Sequence, residues 1–347
     1  DGDFAWASFD ENTAAGMCYT SGTTGHPKGV LYSHRSNVLH AFMAALPDSK
    51  GLRSNDVCMP VVPLFHANGW SLAFSTPMVG ATFVLPGAKM DGPSIYELLD
   101  TYKVTFTAAV PTVWLMLLQH MEANNLKLPY LKRVVIGGSA CPRAMTEKFE
   151  KNYGVEVIHA WGMTEMSPLG TLSKLKGKHD ALPVEARRRI LEKQGKVIFG
   201  VDMEIIDDDG AALPWDAKAS GNLVVRGPWI IRSYFQRNES PLVKVNGREW
   251  FPTGDVAAID ADAYMQITDR SKDVIKSGGE WISSIDLENI AMGHPAVLEA
   301  AAIACRHPKW DERPLLVVVK KAGAELTRDQ MLAFFDGKIA KWQIPDD

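Results

Sequence analysis

The decamer Thr20-Ser21-Gly22-Thr23-Thr24-Gly25-His26-Pro27-Lys28-Gly29 holds three glycines, four hydroxyls and a lysine, directly after the run Ala14–Tyr19. Glycine tolerates dihedrals and close approaches that a side chain blocks, so such a loop can turn its N–H groups toward an anion. The hydroxyls add donors and Lys28 adds a positive charge, which makes a phosphate chain the natural guest. The loop is not a Walker A: that pattern ends in Gly-Lys-Ser/Thr, whereas Lys28 lies between Pro27 and Gly29. Taken alone, the decamer would serve equally well as a flexible polar turn.

The elements that would have to position this loop can be read on either side of it. Residues 16–19 have the pattern of a buried strand running into the loop, and 30–32 of a strand leaving it. A helix is expected over 33–45, with Ser33 as its N-cap. A strand over 56–64 follows, and then strands and helices alternate. Strands are expected at 82–85, 104–110, 133–136 and 155–160, and helices at 93–102, 111–123 and 142–152. The run 104–110 is almost continuously apolar, as in a strand covered on both faces. This is a parallel α/β pattern, whose ligands sit beyond the carboxyl ends of the strands. Two such ends stand out, Gly137-Gly138-Ser139-Ala140 and Trp161-Gly162-Met163-Thr164-Glu165.

Residues 172–196 are basic and lack strands; Arg187, Arg188, Arg189, Lys193 and Lys196 fit a solvated helix face better than a contact with a phosphorylated cosubstrate. After Gly200 the period changes to two, with antiparallel strands expected at 201–206 and 222–226 around Asp208-Asp209-Gly210. A hairpin over 255–259 and 264–268 leads to the charged run Asp269-Arg270-Ser271-Lys272-Asp273, which reads as a domain boundary. Beyond it, a helix over 283–292, strands at 298–305 and 315–320, and a helix over 327–339 form a fresh α+β pattern. No internal repeat or low-complexity segment is visible.

A chain of 347 residues, 46% hydrophobic and 22% charged, suits a soluble globular protein of two domains. Its net charge of −4 gives no general pull toward nucleic acid or anionic membrane. The longest apolar run, 104–118, is broken by Thr and Pro, and no segment reads as membrane-spanning. The start Asp1-Gly2-Asp3 carries no leader pattern, and without Met it is expected to be a processed or truncated product. Cys18, Cys58, Cys141 and Cys305 form no Cys-x-x-Cys pair, so buried free thiols in a reducing cytoplasm are expected. The nine histidines show no ligand spacing such as His-Glu-x-x-His.

Four motifs then occur in order: 19–29 (YTSGTTGHPKG), 162–165 (GMTE), 253–255 (TGD) and 269–280 (DRSKDVIKSGGE). Together they resemble the adenylate-forming superfamily, and within it the AMP-forming acyl-CoA synthetases. The stretch 63–70 (PLFHANGW) further resembles the medium- and long-chain fatty acyl-CoA ligase branch, which includes ligases for 3-methylmercaptopropionate. The resemblance covers essentially the whole chain. It implies an α/β fold with a large N-terminal domain, a parallel sheet plus a β subdomain, over 1–269. A hinge and a small α+β C-terminal domain would follow over 270–347. Members of this superfamily carry a further N-terminal subdomain and a C-terminal Pro-x-Thr-x-x-Gly-Lys motif whose lysine drives adenylation. Neither is found here, so an internal piece of a larger enzyme is expected, weak in adenylation by itself.

The resemblance also implies roles. Such enzymes join a carboxylic acid to ATP, giving acyl-AMP and pyrophosphate, and then pass the acyl group to the thiol of coenzyme A. Thr20, Ser21, Gly22, Thr23, Thr24, Gly25 and Lys28 would hold phosphates, and Thr20 and Glu165 a Mg2+ ion, a cation that prefers hard oxygen ligands. Gly138, Ser139 and Ala140 would wall the adenine, beside Trp161, Gly162, Met163 and Thr164; a tight strand–helix turn would equally explain the small residues. Asp255 would accept from the ribose and Arg270 would follow it in the site, an ordinary surface pair being the alternative. Lys272 would be the hinge, and Lys276, Ser277, Gly278, Gly279, Glu280 and Trp281 the coenzyme A face. His66 and Trp70, four apart and so on one face of a helix, would line the acyl pocket with Val110, Pro111, Met163, Pro168 and Leu169. A core aromatic is the rival reading of Trp70. Thr20, Glu165, His66 and Lys276 are the catalytic candidates.

The expected partners are a small carboxylic acid, ATP and coenzyme A, with Mg2+, no nucleic acid and a homodimer as the assembly. The alternatives are a carrier-protein ligase, a luciferase-like oxygenase, and a nucleotide-binding module without catalysis.

Overall fold

The computed structural model describes residues 4–20, 26–139, 141–270, 273–278 and 280–347, without the side chains of Arg270, Glu280 and Trp281. Packing divides the chain into two compact units, Asp1–Met203 with Val224–Pro252, and Glu204–Leu223 with Thr253–Asp347.

The first unit begins with an antiparallel hairpin of β1 (Ala14–Tyr19) and β2 (Gly29–Ser33), Tyr19 standing opposite Gly29. The Thr20 N–H donates to the Lys28 carbonyl at 2.9 Å and closes the intervening loop, whose residues 21–25 lie outside the described set. The expectation of a buried strand over 16–19 fails, because β1 belongs to a two-stranded sheet and only Cys18 in it is buried. Ser33 caps α1 (His34–Ala45) as expected: its hydroxyl accepts from the Ser36 N–H at 3.0 Å.

A seven-stranded sheet forms the centre of this unit. It contains β3 (Val57–Pro60), β4 (Thr82–Phe83), β5 (Phe106–Ala109), β6 (Arg133–Ile136), β7 (Glu156–Gly162), β8 (Leu169–Leu172) and β9 (Lys196–Val197). Its order is β4-β3-β5-β6-β7-β8-β9, with the first five strands parallel as expected and β8 and β9 added antiparallel. The intervening helical segments are α2 (Ala67–Trp70), α3 (Leu72–Met78), α4 (Gly92–Thr101), α5 (Pro111–Ala123), α6 (Arg143–Tyr153) and α7 (Val184–Leu191).

On α5 the apolar residues Trp114, Leu117, Leu118 and Met121 recur at helical spacing and are buried against Met59, Val134, Ile136 and the α6 residue Phe149. Trp114 and Phe149 meet edge to face at 5.9 Å. Each such side chain contributes roughly 1.5–3 kcal/mol of burial, enough to fix helices and strands as one body. At the amino ends of the parallel strands, buried Asp56 accepts from Arg133 Nη2 and Thr105 Oγ1, both at 2.7 Å. The amino ends are thereby stitched together, and the opposite edge carries the irregular loops that can bind. The basic helix α7 is tied to α6 rather than merely solvated, since Arg188 reaches Glu147 at 3.1 Å and Arg143 reaches Glu185 at 2.9 Å.

A further sheet contains β10 (Asp202–Ile206), β11 (Ser220–Arg226), β12 (Val243–Val245), β13 (Arg248–Ile259) and β14 (Met265–Arg270), in the order β10-β11-β13-β12 with β14 on β13. The chain passes from one unit to the other within β10, β11 and β13.

The second unit is completed by an antiparallel sheet of order β16-β15-β18-β17. These strands are β15 (Ile275–Ser277), β16 (Glu280–Ile282), β17 (Val297–His307) and β18 (Asp311–Lys320). Ile275, Ile282 and Val297 bury themselves against Leu287 and Ala291 of α8 (Ser284–Met292), and against Met331 and Phe335 in and after α9 (Arg328–Ala333). The helix expected over 327–339 ends early. Gly337 has a φ of 72°, a left-handed conformation that a right-handed helix cannot include. Among the described residues no helix is long and apolar enough to cross a membrane, and the four cysteines are free thiols.

Candidate active site

Beside Thr20 and Lys28 of the β1–β2 hairpin, the carboxyl ends of four parallel strands carry the other candidate residues of the first unit. Strand β3 leads into α2 and Trp70, β5 into Val110 and Pro111, β6 into Gly137 and Gly138, and β7 into Gly162–Glu165. The strand register places Ile136 beside His159, so Gly137 and Gly162 leave the sheet along the same edge.

Glu165 lies in a short 3-10 turn, Thr164–Met166, and is buried. Three neighbours set its position. The Ile231 N–H donates to the Glu165 carbonyl at 3.0 Å, the Tyr32 hydroxyl of β2 donates to the Thr164 carbonyl at 2.7 Å, and the Tyr234 hydroxyl donates to Glu165 Oε1 at 2.7 Å. Ser167 adds a hydrogen bond to the Trp229 carbonyl at 2.9 Å, so the segment 229–234 braces the whole turn. Gly162 has no room for a side chain: a Cβ there would lie 2.0 Å from the Pro168 carbonyl oxygen.

The same Tyr234 reaches the glycine-rich loop. Lys28 Nζ stands 4.8 Å from the centre of its ring, and the Phe235 N–H donates to the Gly29 carbonyl at 2.8 Å. Burial first, and then the Glu165 carboxylate, push the Tyr234 hydroxyl above the ordinary tyrosine range; burial, then Cys18 and Glu165, do the same to Tyr32. Both hydroxyls therefore stay protonated and act as donors. Neither tyrosine was marked by sequence reasoning. The only local signal for Tyr234 is an aromatic pair, Tyr234-Phe235, inside a polar loop.

Trp70 is held differently from the expected helix face. Ala67, Asn68, Gly69, Trp70 and Ser71 have φ of 36°, 49°, 58°, 53° and 68°. The Trp70 N–H does reach the His66 carbonyl at 3.3 Å, but the turn is left-handed, which costs a non-glycine residue roughly 1–2 kcal/mol. His66 precedes it in an extended conformation and is exposed, its ring 4.6 Å from that of Phe65. The Trp70 indole lies over the β6 end: a Cβ at Gly137 would stand 3.2 Å from its Cη2, and one at Gly138 3.7 Å from its Cζ2. Val110 Cγ1 would be 3.0 Å from a Cβ at Gly138, whose φ is 82°. Two acyl-pocket candidates thus border Gly138 of the expected adenine wall. Pro111, Pro168 and Leu169 are buried, and Leu169 donates its N–H to His40 Nε2 at 3.0 Å. Trp161 is buried in β7, with its ring against Gly170, and Ser139 is exposed.

The second unit carries the other candidates. Asp255 follows Gly254, at φ 79°, takes its N–H to Thr253 Oγ1 at 3.1 Å, and pairs in register with Arg270. Asp269 is buried, and its carboxylate accepts from the Ser284 N–H at 2.7 Å and Ser284 Oγ at 3.1 Å. This ties the start of α8 to the end of β14. The Lys276 N–H donates to Glu312 Oε2 at 2.8 Å while its side chain is exposed. Gly278, at φ 60°, donates its N–H to the Trp310 carbonyl at 2.9 Å, and a Cβ there would press on the Trp310 ring at 2.8 Å. Ser21, Gly22, Thr23, Thr24, Gly25, Ala140, Lys272 and Gly279 lie outside the described residues, as do the side chains of Arg270, Glu280 and Trp281.

Among the described residues no group of three or more His, Cys, Asp or Glu could hold a metal ion by itself. A single buried carboxylate with one oxygen taken by a tyrosine fits Mg2+, which is commonly held by one or two carboxylates together with substrate phosphates.

Comparison with known proteins gives two family-model matches, one described as AMP-binding enzyme over residues 4–235 and one as AMP-binding enzyme C-terminal domain over 286–347. The chain is 55% identical over 346 residues to a 3-methylmercaptopropionyl-CoA ligase of Ruegeria lacuscaerulensis, covering 100% of this chain and 64% of that protein. It is 49% identical to a medium-chain-fatty-acid–CoA ligase of Ectopseudomonas oleovorans, covering 100% of this chain and 63% of the relative. The ATP-bound MatB structure from Rhodopseudomonas palustris superposes with a TM-score of 0.84 at 26% identity, covering 99% of this chain and 65% of that one. The chain therefore spans a little under two thirds of the length of these relatives.

Proposed function

Because the chain belongs to the family of AMP-binding enzymes, we propose that it is the nucleotide- and acyl-binding part of an AMP-forming acyl-CoA ligase. In the first half-reaction a carboxylate oxygen attacks the α-phosphorus of ATP; the bond to the β-phosphate breaks and pyrophosphate leaves. In the second, the sulfur of coenzyme A attacks the acyl carbon, its proton is lost, and AMP leaves. The acid is a medium-chain fatty acid or a short thioether acid like 3-methylmercaptopropionate, the acids named for the relatives.

The observation that carries this reading is the Lys28–Tyr234–Glu165 contact chain, which couples a cation on the glycine-rich loop to a buried carboxylate at a strand end. A carboxylate attacking a phosphate is anion meeting anion, so the site must neutralise charge and align the partners. Lys28 and the loop donors from Thr20 to Gly25 hold the outgoing phosphates. Glu165 and Thr20 would hold Mg2+, which would supply charge neutralisation at the phosphates when bound. Gly138, Ser139 and Ala140 give a backbone wall for adenine with Trp161, Gly162, Met163 and Thr164 beside it. Asp255 and Arg270 serve the ribose and phosphate. His66, Trp70, Val110, Pro111, Met163 and Leu169 bound the acyl chain.

Lys272 is the pivot at a boundary near 269/270, and Lys276–Trp281 is the coenzyme A face. The assembly is a homodimer in a reducing cytoplasm, a location supported by the four free thiols. ATP–pyrophosphate exchange with a panel of carboxylic acids tests the reading, together with the coenzyme A dependence of AMP release. Exchange that no acid stimulates, in the protein carrying this sequence at its full natural length, would reject it.

A further inference from the structure

Lys50 is fully inside the first unit, 1% exposed, on the turn that follows α1. Its own backbone is fixed there, its N–H donating to the Ala44 carbonyl at 3.1 Å while Gly51 donates to Leu46 at 2.9 Å. From this fixed base the ammonium Nζ donates to the carbonyl of Trp70. The acceptor belongs to the fourth of five successive left-handed residues, 67–71, of which only Gly69 is a glycine. Backbone of this kind persists only where its surroundings over-determine it. The Lys50–Trp70 bond is a side-chain restraint on that turn supplied from outside it.

A structural role alone explains the lysine poorly. Taking an ammonium out of water without a carboxylate partner is unfavourable, and burial pulls Lys50 down to about 7. The buried Asp56 carboxylate is already committed to Arg133 and Thr105. Nearby, Ser49 Oγ, Ser71 Oγ and His40 Nδ1 are buried without a hydrogen-bond partner among the described residues, so the surroundings do not solvate the charge well. A methionine, one heavy atom shorter, would fill most of the same space without burying a charge. What the lysine adds is a donor aimed at one carbonyl.

We propose that Lys50 is a positioning residue for acyl-chain selection: by holding the Trp70 carbonyl it fixes the left-handed turn that lays the indole along Gly137 and Gly138. The inference rests on the reading of Trp70 as a wall of the acyl pocket. It assigns Lys50 no contact with substrate. The ligand class affected is the acyl group, with the nucleotide half left alone.

The test compares Lys50→Met, Lys50→Gln, Trp70→Ala and the Lys50→Met/Trp70→Ala double variant. Calorimetry measures affinity for non-hydrolysable N-acylsulfamoyl adenosines bearing butanoyl, octanoyl and dodecanoyl chains, and for AMP. Lys50→Met is expected to change the octanoyl-to-butanoyl affinity ratio by about tenfold, with AMP affinity and thermal midpoint kept or improved. The double variant should match Trp70→Ala alone, because Lys50 acts only through that residue. Lys50→Gln, with a shorter donor, should fall between wild type and Lys50→Met; it also provides the measurement if Lys50→Met does not fold. An altered ratio in Trp70→Ala but not in either Lys50 variant would overturn the proposal and leave the acyl-pocket reading intact. A uniform loss of affinity for all four ligands would reduce Lys50 to a structural role. An unchanged ratio in Trp70→Ala would remove the acyl-pocket reading itself.

Discussion

The Tyr234 hydroxyl donates to Glu165 Oε1 at 2.7 Å while the face of the same ring carries Lys28 Nζ at 4.8 Å from its centre. One aromatic side chain thus sits between the cation and the anion that the proposed chemistry needs. It keeps Lys28 and Glu165 from neutralising each other directly, and it leaves one carboxylate oxygen for a metal.

Tyr234→Phe should separate the two contacts. The ring and its hold on Lys28 remain, but Glu165 loses a hydrogen bond, a bond to a charged group being worth about 1.5–3 kcal/mol. The expected outcome is a loss of roughly ten- to a hundredfold in acid-stimulated pyrophosphate exchange, with the midpoint for Mg2+ moved. Tyr234→Leu removes the ring as well and should cost ATP affinity beyond the effect of Phe. Equal kinetics for Phe and wild type across a Mg2+ titration would dissociate Tyr234 from the metal site.

Gly162→Ala makes a steric prediction. The added methyl would lie 2.0 Å from the Pro168 carbonyl oxygen and 3.1 Å from Leu169 Cα, both backbone positions. Backbone cannot yield as a side-chain tip does, so the Glu165 turn must shift. A loss of about 1–3 kcal/mol in urea unfolding is expected, together with loss of nucleotide binding. Gly210→Ala is a useful control, since a Cβ there meets nothing within 4 Å and the variant bears only the backbone strain of φ 83°.

Particular residues show what the sequence could and could not reveal. The helix Pro111–Ala123 and the strand Arg133–Ile136 have the bounds expected from pattern, because their apolar periodicity and the starting proline are local signals. The caps at Ser33 and Ser283 are local too. Tyr234, in contrast, acts on a carboxylate 69 residues away, and nothing in its own neighbourhood announces that partner. The left-handed turn at 67–71 is hidden for another reason: Ala67, Trp70 and Ser71 are types that ordinarily avoid this conformation, and tertiary contacts such as the Lys50 bond hold them there. Gly337, at φ 72°, rules out the full helix expected over 327–339, but α9 already ends at Ala333, and the apolar spacing gives no sign of that end.

Asp269→Asn tests how the start of α8 is pinned. The carboxylate accepts two hydrogen bonds from Ser284 and is almost fully buried, and an amide can replace only part of that pattern. A local loss of roughly 1–3 kcal/mol is expected. Amide hydrogen exchange is the suitable readout: protection should fall within Ser284–Met292 and β14, while α5 in the other unit keeps its protection. Uniform loss across both units would mean that Asp269 acts globally.

His159 should make the fold acid-sensitive within a defined window. It lies in β7, is 4% exposed, and burial is the main cause that pulls it from an ordinary value of 6.5 to about 4. The fold therefore favours the neutral ring. Above pH 6.5 the histidine is neutral in both folded and unfolded chains, and its contribution is fully present. As the pH falls from 6.5 toward 4, the unfolded chain takes up the proton first, and stability is lost across that interval. The size of the effect is on the order of 3 kcal/mol for a shift of this kind. Urea midpoints at intervals across the window should show the decline in wild type and a shallower one in His159→Gln, whose amide does not titrate. Because β7 leads directly into Gly162 and Glu165, ATP affinity of the wild type should weaken along with stability over the same interval. A His159→Gln variant with an unchanged acid slope would mean that another group sets the limit.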